Sequence, residues 1–255
     1  MAVAIRCLAA TYYGGFHIRP HRHDMGQLIY AGSGVMRVRA GGMLWIVPPA
    51  RAVWVPAGAE HEIHGLGDFA MRTLYFRAET VVGLPAECCA LDVAPLLREL
   101  VLELVDQCPI GEADEAGMRL ANVAIDRIAE AQTLPLQLPL PSDPRAVRLA
   151  EALRDELSSQ ASLGELSRVA GASPRTIQRL FLAETGMPFS QWRQRLRLLH
   201  GATILGAGKS VTDAGLEAGY SGTSAFIAAF RKHFGFTPSR LGEEGIRSSK
   251  NVRKG

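Results

Sequence analysis

What this sequence lacks narrows the choice of protein before any motif is read. No apolar run reaches the roughly 18 residues that a helix needs to cross a bilayer. The opening stretch MAVAIRCLAATYYGG also lacks the apolar core of a secretory leader, so a cytoplasmic protein off the membrane is expected. Cysteine occurs four times, as Cys7, Cys88, Cys89 and Cys108, and no pair has C-x-x-C spacing. Adjacent cysteines make a poor disulfide pattern, so all four are expected to be reduced and packed. No acid and base side chains stand at a recognisable catalytic spacing, although Glu60 and Glu62 flank His61. A binding protein is therefore expected rather than an enzyme.

What is present fits two domains. The chain has 255 residues, 47% of them hydrophobic, enough for two ordinary cores. The net charge of +3 is unevenly spread. Residues 1–141 carry 11 Lys and Arg against 15 Asp and Glu, a balance of −4. Residues 142–255 carry 17 against 10, a balance of +7, so only the second half is suited to a polyanion.

Residues 8–76 read as short strands broken by glycine and proline, as in QLIYAGSGVMRVRAGGMLWIVPP, which predicts a small all-β barrel or sandwich. Helical spacing then takes over. Leu96, Leu97, Leu100 and Leu104 form one apolar stripe, and Leu120, Ala124 and Ile128 another. These stripes exceed what one small barrel face needs, which points to a homodimer formed through this segment, with a packed monomer as the competing account. LPLQLPLPSDP, residues 134–144, holds four prolines and reads as a semi-stiff linker whose leucines can pack on a neighbour. The expected layout is a sensing barrel over 1–85, a helical dimerisation segment over 86–133, the linker over 134–144, an all-helical unit over 145–245 and a disordered tail over 246–255.

The helical unit repeats itself. Ser142 can cap a first helix lined by Ala146, Ala150, Leu153 and Leu157. Ser162 and Glu165 form a capping box for a short helix ending at Ala170. Gly171 turns, and Ser173-Pro174 starts a helix with Ile177, Leu180 and Phe181 inward. The pattern returns over residues 210–234: Gly171 maps to Gly219 at an offset of 48, and Ile177 to Phe226 and Phe181 to Phe230 at 49. A short helix, a glycine turn and a second helix with a basic outer face form the helix-turn-helix pattern. Ser173, Arg175, Thr176, Gln178 and Arg179 are the first unit's candidate DNA contacts. Arg can bind guanine and Gln adenine in bidentate fashion. Thr223, Ser224, Ile227, Ala228, Arg231 and Lys232 are those of the second. That helix carries no Arg, Asn or Gln at its base-facing positions, so thymine-methyl and phosphate contacts are expected from it.

These residues carry a resemblance. The run A-G-Y-S-x-x-S-x-F-x-x-x-F-x-x-x-F-G-x-T-P over 218–238 resembles the DNA-binding domain of AraC/XylS-type transcriptional regulators, and the likeness covers about 100 C-terminal residues. It implies a tandem helix-turn-helix on double-stranded promoter DNA, joined by a long helix over 189–205. Gly215 departs from the alanine usual at its position.

The first half holds a second constellation. His21-x-His23 would point two imidazoles to one face of a strand, and His61 follows Pro56-x-Gly58. Three imidazoles suit a divalent transition metal such as Zn, Ni, Fe or Cu. The spacing Gly15, His21, His23, Gln27, Gly34 resembles the first motif of cupin barrels, and Pro56-x-Gly58-x-x-His61 the second. Metal-binding cupins have glutamate where Gln27 stands and glycine where Ala50 stands. The resemblance implies either a metal site of His21, His23, Gln27 and His61 or a metal-free pocket, with a small effector bound in the barrel as AraC-type regulators do. Arg51, Trp45 and Trp54 are the candidate effector contacts. A metal-dependent cupin enzyme and a DNA-binding architectural protein without a ligand are the rival readings.

Overall fold

The computed structural model describes residues 3–77, 79, 83–157 and 161–243. Two antiparallel sheets face one another. The larger runs in the order β10 (Ile110–Gly111), β1 (Val3–Tyr12), β8 (Phe69–Arg77), β3 (Met25–Ser33), β6 (Arg51–Val55), β9 (Cys89–Asp92) and β11 (Thr133–Leu134). The smaller runs β12 (Gln137–Pro139), β5 (Met43–Val47), β4 (Met36–Ala40), β7 (His61–Gly65) and β2 (His17–His21). Among the described residues no strand pairing links the sheets, so the expected barrel is an open sandwich.

Turn chemistry and alternation set the register. Ala40 pairs with Met43 across Gly41-Gly42, whose φ values of 58° and 71° suit a two-residue turn that needs positive φ twice. In β4, Met36, Val38 and Ala40 are buried while Arg37 and Arg39 face outward. In β3 both faces are covered. Gln27 and Ile29 look between the sheets, and Leu28 and Tyr30 look toward two helices, α1 (Pro95–Gln107) and α2 (Glu115–Ala129).

Those helices cover the larger sheet. Leu97, Leu100, Leu104, Ala124 and Ile128 pack with Leu28, Trp54, Leu74 and Phe76 in one core. The leucine stripes that suggested a dimer are thus largely consumed within the chain, because the larger sheet offers a wide outer face. Leu96 and Val123 stay exposed at 55% and 42%. Cys7 of β1 and Cys108 after α1 form a disulfide with their Cα atoms 5.9 Å apart, contrary to the expectation of four reduced thiols. The pair is 101 residues apart in sequence and meets because β10 pairs with β1. Cys88 and Cys89 are free.

The proline-rich stretch is part of the sandwich. β12 pairs with β5, and Leu136 and Leu138 are fully buried. It leads into six helices: α3 (Pro144–Asp155), α4 (Leu163–Ala170), α5 (Pro174–Thr185), α6 (Phe189–Gly206), α7 (Val211–Glu217) and α8 (Thr223–Phe234). Asp143, one residue past Ser142, caps α3 by accepting from the Arg145 N–H. The Ser162/Glu165 capping box forms, and Gly171, Gly186 and Gly235 end their helices in the left-handed conformation.

One apolar core runs from the sandwich into the helices. The Trp192 indole N–H donates to Pro139 O at 2.7 Å, and a Cβ added at Gly206 would meet Pro48 and Val35 at 2.8 Å. Asp92 clamps the contact, accepting from Arg51 at 3.1 Å and Arg240 at 2.8 Å. The 246–255 tail lies outside the described residues.

Candidate nucleic-acid interface and histidine site

The helices α5 and α8 are built alike. Each buries an apolar stripe, Ile177, Leu180 and Phe181 in one and Phe226, Phe230 and Phe234 in the other. Each is preceded by a short helix and a turn with a glycine at positive φ, Gly171 at 65° and Gly219 at 77°. Arg175, Gln178 and Arg179 are therefore exposed together along α5. Thr176 is half-buried, its hydroxyl 2.9 Å from that of Ser173, which also caps the helix. On α8, Ser224, Ala228, Arg231 and Lys232 are exposed, Ile227 is 38% exposed, and the Thr223 hydroxyl donates to that of Thr212. The long helix α6 joins the pairs. Phe226 seats closely on it: a Cβ at Gly201 would stand 2.7 Å from the ring, and one at Gly215 of α7 3.2 Å from the Phe226 Cβ. The Gly215 departure thus has a packing reason.

Between the sheets the three motif histidines converge. The strand register pairs His21 with His61, and Gly58, at φ 78°, turns the chain toward His23 through its N–H to the His23 carbonyl. The potential ligand atoms of His21, His23 and His61 lie within 4.8 Å of one another. Each Nδ1 sits on a backbone carbonyl: Arg19 at 2.9 Å, Met25 at 2.7 Å and Ala59 at 2.9 Å. A carbonyl only accepts, so each Nδ1 donates to it, and the Nε2 atoms are the ones turned toward one another. The His61 Nε2 is buried without a hydrogen-bond partner. Burial lowers the His61 pKa to about 4, with His21 and His23 adding to the effect against an upward pull from the Ala59 carbonyl.

Gln27 completes the set. The Thr73 hydroxyl donates to Leu28 O at 2.9 Å, so it accepts from the Gln27 amide nitrogen at 2.9 Å. The Gln27 Oε1 is then left 3.1 Å from His23 Nε2. With Nδ1 already donating, two acceptors face each other, and only a proton or another cation between them satisfies both. These donors fit a transition metal. Thr73, which orients Gln27, and Tyr75, whose ring centroid lies 5.2 Å from that of His23, were missed by the sequence reading. Both belong to β8, and only its pairing with β3 brings them to the site.

The three candidate effector contacts do not converge. Trp45 points between the sheets, its indole N–H buried without a partner. Trp54 points into the helical layer, where its N–H donates to Pro85 O at 2.8 Å. Arg51 is 1% exposed, held by Asp92 and lying 5.7 Å from the Phe236 ring at the junction with the helices. Five-residue strands alternate sides, and loop length alone does not reveal which side each residue takes.

A sandwich with an inward histidine set, joined to duplicated helix pairs with a basic outer face, defines a transcription regulator of the DNA-binding, ligand-binding kind. Family models agree: one described as an AraC-like ligand binding domain matches residues 2–172, and one described as a helix-turn-helix domain matches residues 166–244. The chain belongs to the AraC family of transcriptional regulators. It is 34% identical to the HTH-type transcriptional regulator NimR of Escherichia coli over 86% of this chain and 80% of that one. It is 37% identical to the regulator RipA of Corynebacterium glutamicum over 44% of this chain and 34% of that one. It is 24% identical to the virulence regulon transcriptional activator VirF of Yersinia enterocolitica over 85% and 80%. Among the described residues no helix is long and apolar enough to cross a membrane.

Proposed function

We propose that this regulator reads operator DNA through a tandem helix-turn-helix and answers to a small molecule or metal held in a cupin-like sandwich. The observation that carries the first part is the matched exposure of α5 and α8 on equivalent buried stripes. Arg175, Gln178 and Arg179 supply hydrogen-bonded base readout, with Ser173 and Thr176 at the helix start. Ile227 and Ala228 meet thymine methyls, Thr223 and Ser224 reach the same groove, and Arg231 and Lys232 hold phosphates. The work is done in the cytoplasm, where the promoter lies, by regulation and not by turnover. Leu96 and Val123 are exposed apolar positions on α1 and α2 open to a homodimer contact through the N-terminal domain.

His21, His23 and His61, with Gln27 as a neutral fourth donor, would hold one divalent transition metal. Bound there, it would supply a Lewis-acidic point to which an effector's oxygen or nitrogen could attach. Trp45, with its unpartnered indole N–H between the sheets, is the effector contact best supported. Trp54 and Arg51 act in packing and at the domain junction.

Two measurements test this. Elemental analysis of untagged protein purified without added metal should find about one metal per chain, lost in a His21→Ala/His23→Ala variant; a metal-free wild type with DNA binding intact rejects the metal. In operator titrations, Arg175→Ala/Arg179→Ala should erase the preference for operator over random DNA, at about 1–3 kcal/mol per lost bidentate contact. Arg231→Ala should instead weaken binding to all sequences alike and flatten the salt slope. An unchanged operator preference in the double variant rejects the assignment to α5.

A further inference from the structure

The outer face of the smaller sheet carries a group of side chains that the DNA and histidine sites leave unused. The register sets His17, His64 and Arg37 side by side across β2, β7 and β4, and Arg39 opposite Glu62. The His17 and His64 rings stack with centroids 5.2 Å apart. The end of α3 brings Arg154 against them, and with Leu44 these residues enclose a cavity of about 250 Å³.

Arginine dominates the described lining of this cavity. Among the described residues three guanidiniums line it with one carboxylate, Glu62. Glu62 is already engaged, 3.0 Å from His17 and 3.2 Å from Arg39. The Arg37 Nε is buried without a hydrogen-bond partner, a costly arrangement for a charged group. Burial, then the nearby Arg154 and Arg39, all push the Arg37 guanidinium below its ordinary pKa, so a negative charge in the cavity would relieve repulsion. The Arg fork matches carboxylate and phosphate oxygens in bidentate fashion.

We propose that this cavity binds a small polyanion, a phosphate or a dicarboxylate, clamped between Arg37 and Arg39 of the sandwich and Arg154 of the helical unit. The volume lies below the usual range for drug-sized ligands, which restricts the occupant to a compact molecule. The site spans two parts of the regulator. Arg148 of α3 donates to Ala170 O of α4 at 2.9 Å, and the Ser142 and Asp143 N–H groups before α3 donate to Glu184 of α5. An anion there ties the sheet to the helices that position α5. This site is separate from the histidine set, and its test does not depend on a metal.

The experiment is thermal melting of the full chain with 10 mM inorganic phosphate or succinate, against chloride at matched ionic strength. Ligand binding to the folded state should raise Tm by about 3–6 °C at tenfold saturation. A response to phosphate alone would identify a phosphate ligand, and one to succinate alone a carboxylate. The shift should vanish in Arg154→Gln and in Arg37→Met, which keeps the buried methylenes. It should persist in Arg175→Gln/Arg179→Gln, where anion binding on the DNA face is weakened, and in His21→Ala/His23→Ala. No shift with either anion, or a full shift in Arg154→Gln, overturns the proposal even if Arg37→Met fails to fold.

Discussion

At the residue scale, small side chains decide where functional groups stand. Ala50 sits at φ 60°, the left-handed region that favours glycine, and it does so where the cupin pattern has glycine. Ala50→Gly should therefore raise stability by about 0.5–1 kcal/mol, the relieved strain exceeding the entropy a glycine adds to the unfolded chain. Urea unfolding measures it; an equal or lower midpoint would mean that the backbone there is not strained. Thr73 acts on the histidine site by orienting Gln27, and its side chain also bonds Tyr75 beside His23. Thr73→Val keeps the shape and removes the hydroxyl that orients the amide. Metal affinity, read by competition with a chelating dye, should fall about 10–100-fold, as for other groups that orient ligands. Unchanged affinity would remove Gln27 from the ligand set.

At the element scale, the second helix pair depends on how closely Phe226 approaches its neighbours. The ring lies between Gly201 of α6 and Gly215 of α7, and a Cβ at either intrudes, at 2.7 Å and 3.2 Å. Phe226 is fully buried and has little room to withdraw. Gly201→Ala should cost about 2 kcal/mol or more from overpacking, despite the better helix propensity of alanine. Gly215→Ala should cost less, since its contact is longer. Comparing the two melting temperatures checks the ranking, and equal losses would contradict it. Gly215 inside a helix was legible in the sequence as a departure from pattern; Gly201, and the aromatic ring that requires both, were not, because that approach comes from helix crossing rather than from spacing.

At the scale of the whole molecule, the sandwich and the helices share one core, so protonation at the joint bears on both. His233 lies against α6, and burial, reinforced by Arg195, lowers its pKa to about 4 despite an upward pull from the Pro135 carbonyl. The unfolded chain then binds more protons than the folded one between about pH 4 and the ordinary value near 6.5. The contribution of His233 to stability is therefore complete above about pH 6.5 and is lost progressively as pH falls toward 4. Melting temperatures taken from pH 7.5 to 5 should decline, and His233→Gln should flatten part of that decline. An identical slope in the variant would place the proton uptake on other groups. The same shared core explains why residues 134–144 are not a free linker: their leucines fill the seam while their prolines occupy an edge strand and the segments beside it.

Local chemistry was readable along the chain. Capping residues, glycine turns and the repeat near 48 residues define the helix pairs, because these signals act within a few residues of one another. The histidine triad was also legible, since alternation along one strand and a turn before another point three rings inward. What only the tertiary structure decided was which side of a sheet each remaining group took and what it met there. Trp45 turns between the sheets while Trp54 turns to the helices outside the larger one, Arg51 turns to Asp92 at the domain junction, and Cys7 meets Cys108. Arg37, Arg39 and Arg154 gather around one cavity. Each of these depends on pairings between residues distant in sequence, and a single sequence carries no local physical signal for them.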